Sequence, residues 1–483
     1  MNNLRNPILI IVAILGCACL GILLVAVGSS LYFANHQVII QPSPTEAIEA
    51  IPGDTPTPRV TAPGEPTTQP EGTATPQATS PSEGELSPEI IAQMEAIQGQ
   101  VIALRGLPAN GEFSRHLFTP EDLRERVISD FFADYTPEEA RDDALTLSVF
   151  GLLAPDFDLI GLYTELFSEQ VAGFYDNETK EMVVVQQDGF LGPQKLTYAH
   201  EYNHALQDQN YDLADGLGYS DEACEADSER CAAVQALIEG DATLLELEWF
   251  FEYATSEETE EILDFYDSFS SPVYDSAPEY LKQDFTFPYD QGYAFVQTLF
   301  DAGGWAAVDA AFASPPVSTE QILHPEKYPG DVPVPVILPD LLPILGDGWE
   351  ALDDNVMGEW YTYLILAFGL DPDARLAEID AAEAAAGWGG DRYAVLLNRA
   401  GNATAMALVT AWDTSADAAE YAAAFEGYAD ARFGIRLLEE GGLLAWEADG
   451  VTTFFLLDGD RTMWVSAPDE ATARLILDAL RAP

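Results

Sequence analysis

One short stretch, Leu196–Leu206, constrains the fold more than any other part of the chain. It contains the pattern His-Glu-x-x-His, formed by His200, Glu201 and His204. Residues four apart lie on one face of an α-helix, so a helix here directs both imidazoles at one point, as zinc sites require. Glu201 lies one step round the helix, where its carboxylate can reach a water and act as a general base. The alternative is a helix that carries two histidines for packing only.

A third ligand of the right type follows at Glu239, after room for a loop and a second, antiparallel helix. With these residues the chain resembles the zinc metallopeptidases of the gluzincin type, in which a second helix donates a glutamate to the metal. The resemblance implies His200, His204 and Glu239 as the ligands of one zinc ion per chain. It also implies Glu201 as the catalytic base.

The sequence departs from the resembled family beside the third ligand. Thermolysin-like members place an aspartate four residues after the ligand glutamate, and this chain has Thr243 there. Two acids are candidates for the missing hydrogen bond to a ligand histidine, namely Asp241 and Asp208, which lies one turn beyond His204. A solvated acid on an acidic helix is the alternative for Asp208.

Two other side chains are candidates for stabilising the oxyanion of a tetrahedral intermediate. The stretch Phe287-Pro-Tyr289-Asp-Gln-Gly292 is similar to one that heads a helix in aminopeptidases of the same clan, where the tyrosine hydroxyl has this role. The similarity implies Tyr289, with Tyr293 as the second choice, although a buried core tyrosine is the alternative. His324, the one histidine after the metal helix, is either a further oxyanion donor or a structural cap.

A β-hairpin is predicted just before the metal helix, from Val171–Asp176 and Glu181–Gln186 with a polar turn between them. In metallopeptidases of the resembled kind, an edge strand in this position pairs with the extended backbone of the substrate. A purely structural hairpin is the alternative.

Cys224 and Cys231 lie between the two predicted metal helices. They form a disulfide that clips this connection if the compartment is oxidising, and otherwise remain two free thiols.

Charge excludes some classes of partner. The chain has 82 acidic and 20 basic residues and a formal net charge of −62. So acidic a surface argues against nucleic-acid binding and against docking of the soluble part on anionic lipid.

The N-terminal region predicts attachment to a membrane. Residues 7–34 are nearly all apolar, long enough to span a bilayer as a signal anchor. Arg5 precedes this run and acids follow it, which places residues 1–6 in the cytoplasm and the bulk of the chain outside. Ile14-Leu-Gly-Cys17 resembles a lipoprotein cleavage box, but the apolar run continues beyond it, so we favour the anchor. Residues 35–85, rich in Pro, Thr and Ser, are predicted to be a disordered linker.

The predicted fold class is α+β behind an N-terminal transmembrane helix. Residues 86–348 are expected to form a mainly helical, zincin-like metallopeptidase domain with a small β-sheet, and residues 349–483 a smaller α+β domain. In the latter, alternation predicts a strand from Gly387 to Leu397, a strand over Thr404–Trp412 and a meander of Gly442–Glu447, Val451–Leu457 and Arg461–Ser466; helices are predicted over Ser415–Phe433 and Glu470–Leu480.

These features predict a membrane-tethered, extracytoplasmic zinc peptidase that acts on peptides or proteins, most simply as an endopeptidase. Aminopeptidase action is a variant that requires acids to bind a free amine. The competing hypothesis is a non-catalytic surface-binding protein that keeps the zinc fold for structure. The intact Glu201 argues against it, because a structural metal site does not need a base.

Overall fold

The computed structural model describes residues 86–119, 121–122, 124–126, 129, 135–170, 173–185 and 189–482. The predicted cytoplasmic tail, transmembrane anchor and linker, at 1–6, 7–34 and 35–85, lie outside these residues. Within the described ranges, no helix is both long enough and apolar enough to cross a membrane.

The part before residue 349 is mainly helical. In chain order its helices are α1 (Pro88–Arg105), α2 (Pro137–Phe150), α3 (Leu159–Gln170), α4 (Gly192–Tyr211), α5 (Asp221–Ala226), α6 (Ser228–Tyr253), α7 (Ser256–Ser268), α8 (Pro272–Ser276), α9 (Glu279–Gly303), α10 (Trp305–Ala313), α11 (Thr319–Leu323) and α12 (Leu342–Leu345). Several begin where the sequence supplies caps. At α2, Thr136 accepts a hydrogen bond from the Glu139 amide while the Glu139 carboxylate accepts one from the Thr136 amide.

Helices α4, α6 and α9 form the centre of this part. Helix α6 is buried at almost every position from Cys231 to Leu247, so neighbours surround it. It crosses α9 at two glycines. A Cβ added to Gly240 would lie 2.2 Å from the Gly292 carbonyl oxygen, and one added to Gly292 would lie 2.2 Å from the Ala236 carbonyl oxygen. Only glycine permits so close a crossing.

A small sheet lies against the metal helix α4. Strands β1 (Ser114–Phe118), β2 (Gly173–Asp176) and β3 (Glu181–Val185) have the order β1-β3-β2. Strand β1 pairs with β3 in parallel, and β2 pairs with β3 in antiparallel register. The predicted hairpin is therefore confirmed over the residues that the structure describes, with β2 at the edge of the described sheet.

The part after residue 348 is built on one antiparallel sheet. Its elements are β4 (Glu350–Asn355), α13 (Gly358–Phe368), α14 (Glu378–Ala385), β5 (Trp388–Asn398), β6 (Ala403–Trp412), α15 (Ser415–Phe433), β7 (Arg436–Glu440), β8 (Leu443–Ala448), β9 (Val451–Asp458), β10 (Arg461–Ala467) and α16 (Glu470–Leu480). The strand order is β4-β5-β6-β10-β9-β8-β7. The predicted strands and both predicted helices are confirmed; β4 and β7 were not predicted.

Alternation along the strands gives this sheet two apolar faces. On one face Val409, Phe454 and Val465 pack with Ile476 of α16. On the other, Phe425 of α15 stacks on Phe455, with ring centroids 4.3 Å apart. Helices thus cover both faces of the sheet, and the fold as a whole is α+β.

Candidate metal centre

Helices α4 and α6 lie side by side and bring together three side chains of the types that bind metals. Contacts between them run in opposite sequence order, His200 to Glu246 and His204 to Glu239, so the helices are antiparallel. The His200 and His204 Nε2 atoms are 3.0 Å apart. Each lies 3.3 Å from the Glu239 Oε2 atom. All three residues are buried.

The spacing of these atoms suits one metal ion. Nitrogen and oxygen ligands at roughly 2.0–2.2 Å from a tetrahedral ion lie about 3.3 Å from one another. The observed separations of 3.0 to 3.3 Å are close to this value. The group His200, His204 and Glu239 could therefore hold a metal ion.

The outer nitrogens of both imidazoles have fixed acceptors. The His200 Nδ1 atom lies 3.0 Å from the Glu246 Oε2 atom, and the His204 Nδ1 atom lies 2.8 Å from the Gln207 Oε1 atom. The Gln207 amide nitrogen donates to the Ile238 carbonyl and to Asp241, which leaves its oxygen to accept from His204. With a proton on each Nδ1, both Nε2 lone pairs point into the shared site.

The residues that hydrogen-bond to the two candidate ligand histidines differ from those predicted. Glu246, which the sequence analysis missed, accepts the hydrogen bond from His200. Asp241 supports His204 only through Gln207. Asp208 does neither, because it accepts from Tyr175 and pairs with Lys180, holding the β2–β3 hairpin on α4. The available signal for Glu246 was its position two turns after Glu239 on the same helix face.

A buried cation balances the charge of Asp241. The Arg105 Nε atom lies 2.7 Å from the Asp241 Oδ1 atom, and both side chains are fully buried. Arg105 also pairs with Asp309 and lies over the Trp305 ring at 4.5 Å. Helix α1 thereby fixes the carboxylate that orients Gln207.

Carboxylates dominate the electrostatics of the site. Burial opposes a charged imidazole, yet hydrogen bonds to Glu239 and Glu246 raise the pKa of His200 to about 10. Burial likewise opposes ionisation of Glu239, but the two imidazoles lower its pKa to about 2. The charge of Glu201 also raises the pKa of both histidines, which places its carboxylate within electrostatic reach of the site. Such surroundings favour a cation at the shared point.

The connection between the metal helices carries a disulfide, Cys224–Cys231. Tyr219 packs against this disulfide. Burial raises the pKa of the Tyr219 phenol, and the Glu239 carboxylate adds to the effect. Tyr219 therefore lies beside the disulfide and within electrostatic reach of Glu239, and the sequence analysis did not single it out.

The two predicted oxyanion donors lie in different places. Tyr289 is buried on α9, within one turn of Gly292, where α9 crosses the helix that bears Glu239. The second choice, Tyr293, donates to Gln297 at 3.1 Å. His324 ends α11, and its Nε2 atom lies 2.8 Å from the Glu359 Oε1 atom. The structure thus pairs His324 with α13, not with the ligand group.

Comparisons with known proteins bear only on the second part of the chain. A family described as a domain of unknown function (DUF8575) matches residues 347–477, which run from just before β4 into α16. No curated protein and no solved structure matches the chain. The group His200, His204 and Glu239 lies outside the matched residues.

Proposed function

We propose that the protein is a zinc-dependent peptidase, tethered to a membrane by residues 7–34 and acting outside the cytoplasm. The observation that carries this proposal is the convergence of His200, His204 and Glu239 within 3.3 Å of one another, with Glu201 on the same helix. Two imidazoles and one carboxylate are the ligand set of catalytic zinc sites that keep a fourth position open. The buried Glu246 and Gln207 acceptors supply the supporting shell that such ligands need.

A bound zinc ion would supply Lewis acidity to a water and to the carbonyl group of the scissile bond. Glu201 would accept the proton of that water and then donate it to the leaving amine. Tyr289 is the proposed oxyanion donor. Tyr219, which lies within electrostatic reach of Glu239, is a second candidate. His324, engaged by Glu359, is the weaker candidate.

The substrate is proposed to be an extended peptide. Strand β2 is at the edge of the described sheet and packs on α4, since a Cβ on Gly173 would lie 3.0 Å from the Thr197 Cγ2 atom. An edge strand beside the metal helix offers backbone donors and acceptors to a substrate strand. This mode of binding depends little on the substrate's side chains.

Metal content and hydrolysis, measured on the full chain in detergent, test this proposal. We expect one zinc per chain by elemental analysis, lost in His204→Ala and retained in His116→Ala, a control on a half-buried histidine of β1 that pairs with Glu181. Casein hydrolysis should be lost in Glu201→Gln while zinc is retained.

A wild-type chain without zinc after expression in zinc-replete medium would refute the metal site. Bound zinc without hydrolysis would favour the non-catalytic binding protein. Unchanged hydrolysis in Glu201→Gln would remove Glu201 as the base.

A further inference from the structure

A pocket lies where the two parts of the chain meet. It lies between α2, the first turns of α6, the first half of α9 and the segment from β4 to α13, and its empty space, including the part open to solvent, is about 880 Å³. Its walls are mostly apolar, with Leu147, Phe150, Phe287 and Met357 among them. Nothing in the metal centre uses this space.

Three carboxyl groups face the pocket, and none of them forms a salt bridge among the described residues. Asp143 accepts from the Tyr135 hydroxyl at 2.9 Å, Asp284 from Tyr361 at 2.7 Å, and Asp353 from Tyr393 at 2.6 Å. These donors are neutral. A fourth acid, Glu229, is already bound by Thr319.

The lining of the pocket includes no lysine, arginine or histidine among the described residues, and none of its acids forms a salt bridge there. Burial and the nearby Asp353 charge raise the pKa of Asp143 to about 8, and burial raises the pKa of Asp284 to about 6. These are the properties of acids that lack a counterion.

A second, independent feature is an unsatisfied amide. Gln235 lines the same pocket and is only 2% exposed, yet its amide nitrogen has no hydrogen-bond partner among the described residues. A buried donor without an acceptor is costly, so this position calls for an acceptor from outside the chain. A carbonyl oxygen of a ligand would satisfy it.

We propose that this pocket binds an organic cation, an ammonium or guanidinium group on an apolar stem, with a carbonyl oxygen that accepts from Gln235. The cation would meet Asp143 and Asp353, while the stem would lie along the apolar walls. A lysine or arginine residue within a peptide has all three features. A free alkylamine has only the cation and the stem.

The pocket adjoins the metal centre along one face of α6. Ser228, Ala232 and Gln235 line the pocket, and Glu239 lies one turn beyond Gln235 on the same stripe. If the proposed peptidase function holds, on which this step rests, the pocket selects substrates with a basic residue near the scissile bond.

Binding to the full chain, followed by calorimetry, tests the cation site directly. The probes are Nα-acetyl-lysine methylamide, its neutral analogue Nα-acetyl-norleucine methylamide, and n-butylamine. We expect the lysine probe to bind at least about tenfold more tightly than the norleucine probe. Asp143→Asn should weaken it about tenfold, and Asp267→Asn, which removes an exposed acid outside the pocket, should leave it unchanged.

Gln235→Leu separates the two sources of the cation. A loss confined to the lysine probe supports a peptide ligand. Equal affinity for butylamine and the lysine probe, insensitive to Gln235→Leu, supports the cation site but assigns it to a free amine. Equal binding of lysine and norleucine probes, or unchanged affinity in both Asp143→Asn and Asp353→Asn, would overturn the proposal. Both substitutions are isosteric, and a thermal melt checks that each variant is folded.

The same titration in His204→Ala keeps this inference separate from the peptidase proposal. Retained binding of the lysine probe there, with no hydrolysis by the wild type, would reject only the peptidase. Hydrolysis by the wild type without cation-selective binding would reject only the pocket. Peptides that differ by lysine or norleucine near the cleaved bond then show whether the pocket selects substrates.

Discussion

The α6–α9 crossing predicts that Gly292→Ala will damage both stability and metal binding. The added Cβ would lie 2.2 Å from the Ala236 carbonyl oxygen and 2.9 Å from its carbonyl carbon. Both atoms belong to the backbone of α6, so no side-chain rotation can relieve the contact. The helices must separate locally by about 1 Å, since real Cβ atoms essentially never approach within 3.0 Å.

Overpacking of this kind typically costs about 1–3 kcal/mol, and a backbone contact belongs at the upper end. The usual gain from replacing a helical glycine by alanine, roughly 0.5–1 kcal/mol, offsets only part of it. A net loss of about 2 kcal/mol is therefore expected. Glu239 lies within one turn of Ala236, and metal sites tolerate ligand shifts of only about 0.2 Å. We accordingly expect metal affinity to fall at least about tenfold.

Urea unfolding and competition with a chromophoric zinc chelator measure these two effects. Gly99→Ala is the matched control, because Gly99 is exposed on α1 and no atom lies within 4 Å of its added Cβ. It should be neutral or slightly stabilising, with unchanged metal affinity. If Gly292→Ala behaves like Gly99→Ala in both assays, the crossing does not position Glu239 and the reasoning is refuted.

Three other changes test the surroundings of the site. Glu246→Gln should reduce metal affinity about 10–100-fold by chelator competition, while the exposed Glu248→Gln should not. Arg105→Leu leaves Asp241 buried without a cation, so urea unfolding should show that the free energy of unfolding falls by about 3–5 kcal/mol. The double variant Arg105→Leu/Asp241→Asn should recover part of this loss. No recovery would mean that Arg105 acts through packing. Burial raises the pKa of Asp284 to about 6, so the folded state retains a proton that the unfolded chain releases above about pH 4. This bound proton stabilises the folded state by about 2–3 kcal/mol, and the stabilisation is lost as pH rises from about 4 to 6. Asp284→Asn should therefore make the free energy of unfolding depend less on pH in this window. An unchanged pH dependence would exclude Asp284 as its source.

Local patterns were enough to predict what depends on one element at a time. Helical spacing placed His200 and His204 on one face, and alternation located the meander strands β8, β9 and β10. The edge strand β4 was missed because its sequence, Glu-Ala-Leu-Asp-Asp-Asn, is too acidic to indicate a strand. It is a strand because β5 pairs with it, and a single local sequence does not contain that information.

The supporting shell of the metal site could not be predicted for a similar reason. Glu246 was one of 82 acidic residues in the chain, and only the antiparallel packing of α4 on α6 selects it. Arg105 is even harder to predict from the sequence, because its contact with Asp241 joins α1 to α6. Helix periodicity is enough to predict the two candidate ligand histidines. Their hydrogen-bond partners can be identified only once it is known which helices pack together.

Helix α6 contributes side chains to both the pocket and the candidate metal centre, so a movement of this helix affects both sites. Gln235, Glu239 and Glu246 project from one side of the helix, lining the pocket, completing the ligand group and fixing His200 in turn. A rotation or shift of α6 must therefore move all three together. Gly292→Ala should consequently weaken cation binding as well as metal binding, whereas His204→Ala, which leaves α6 in place, should affect the metal alone. Loss of metal affinity with intact cation binding in Gly292→Ala would mean that α6 bends between Gln235 and Glu239 instead of moving as a rigid helix.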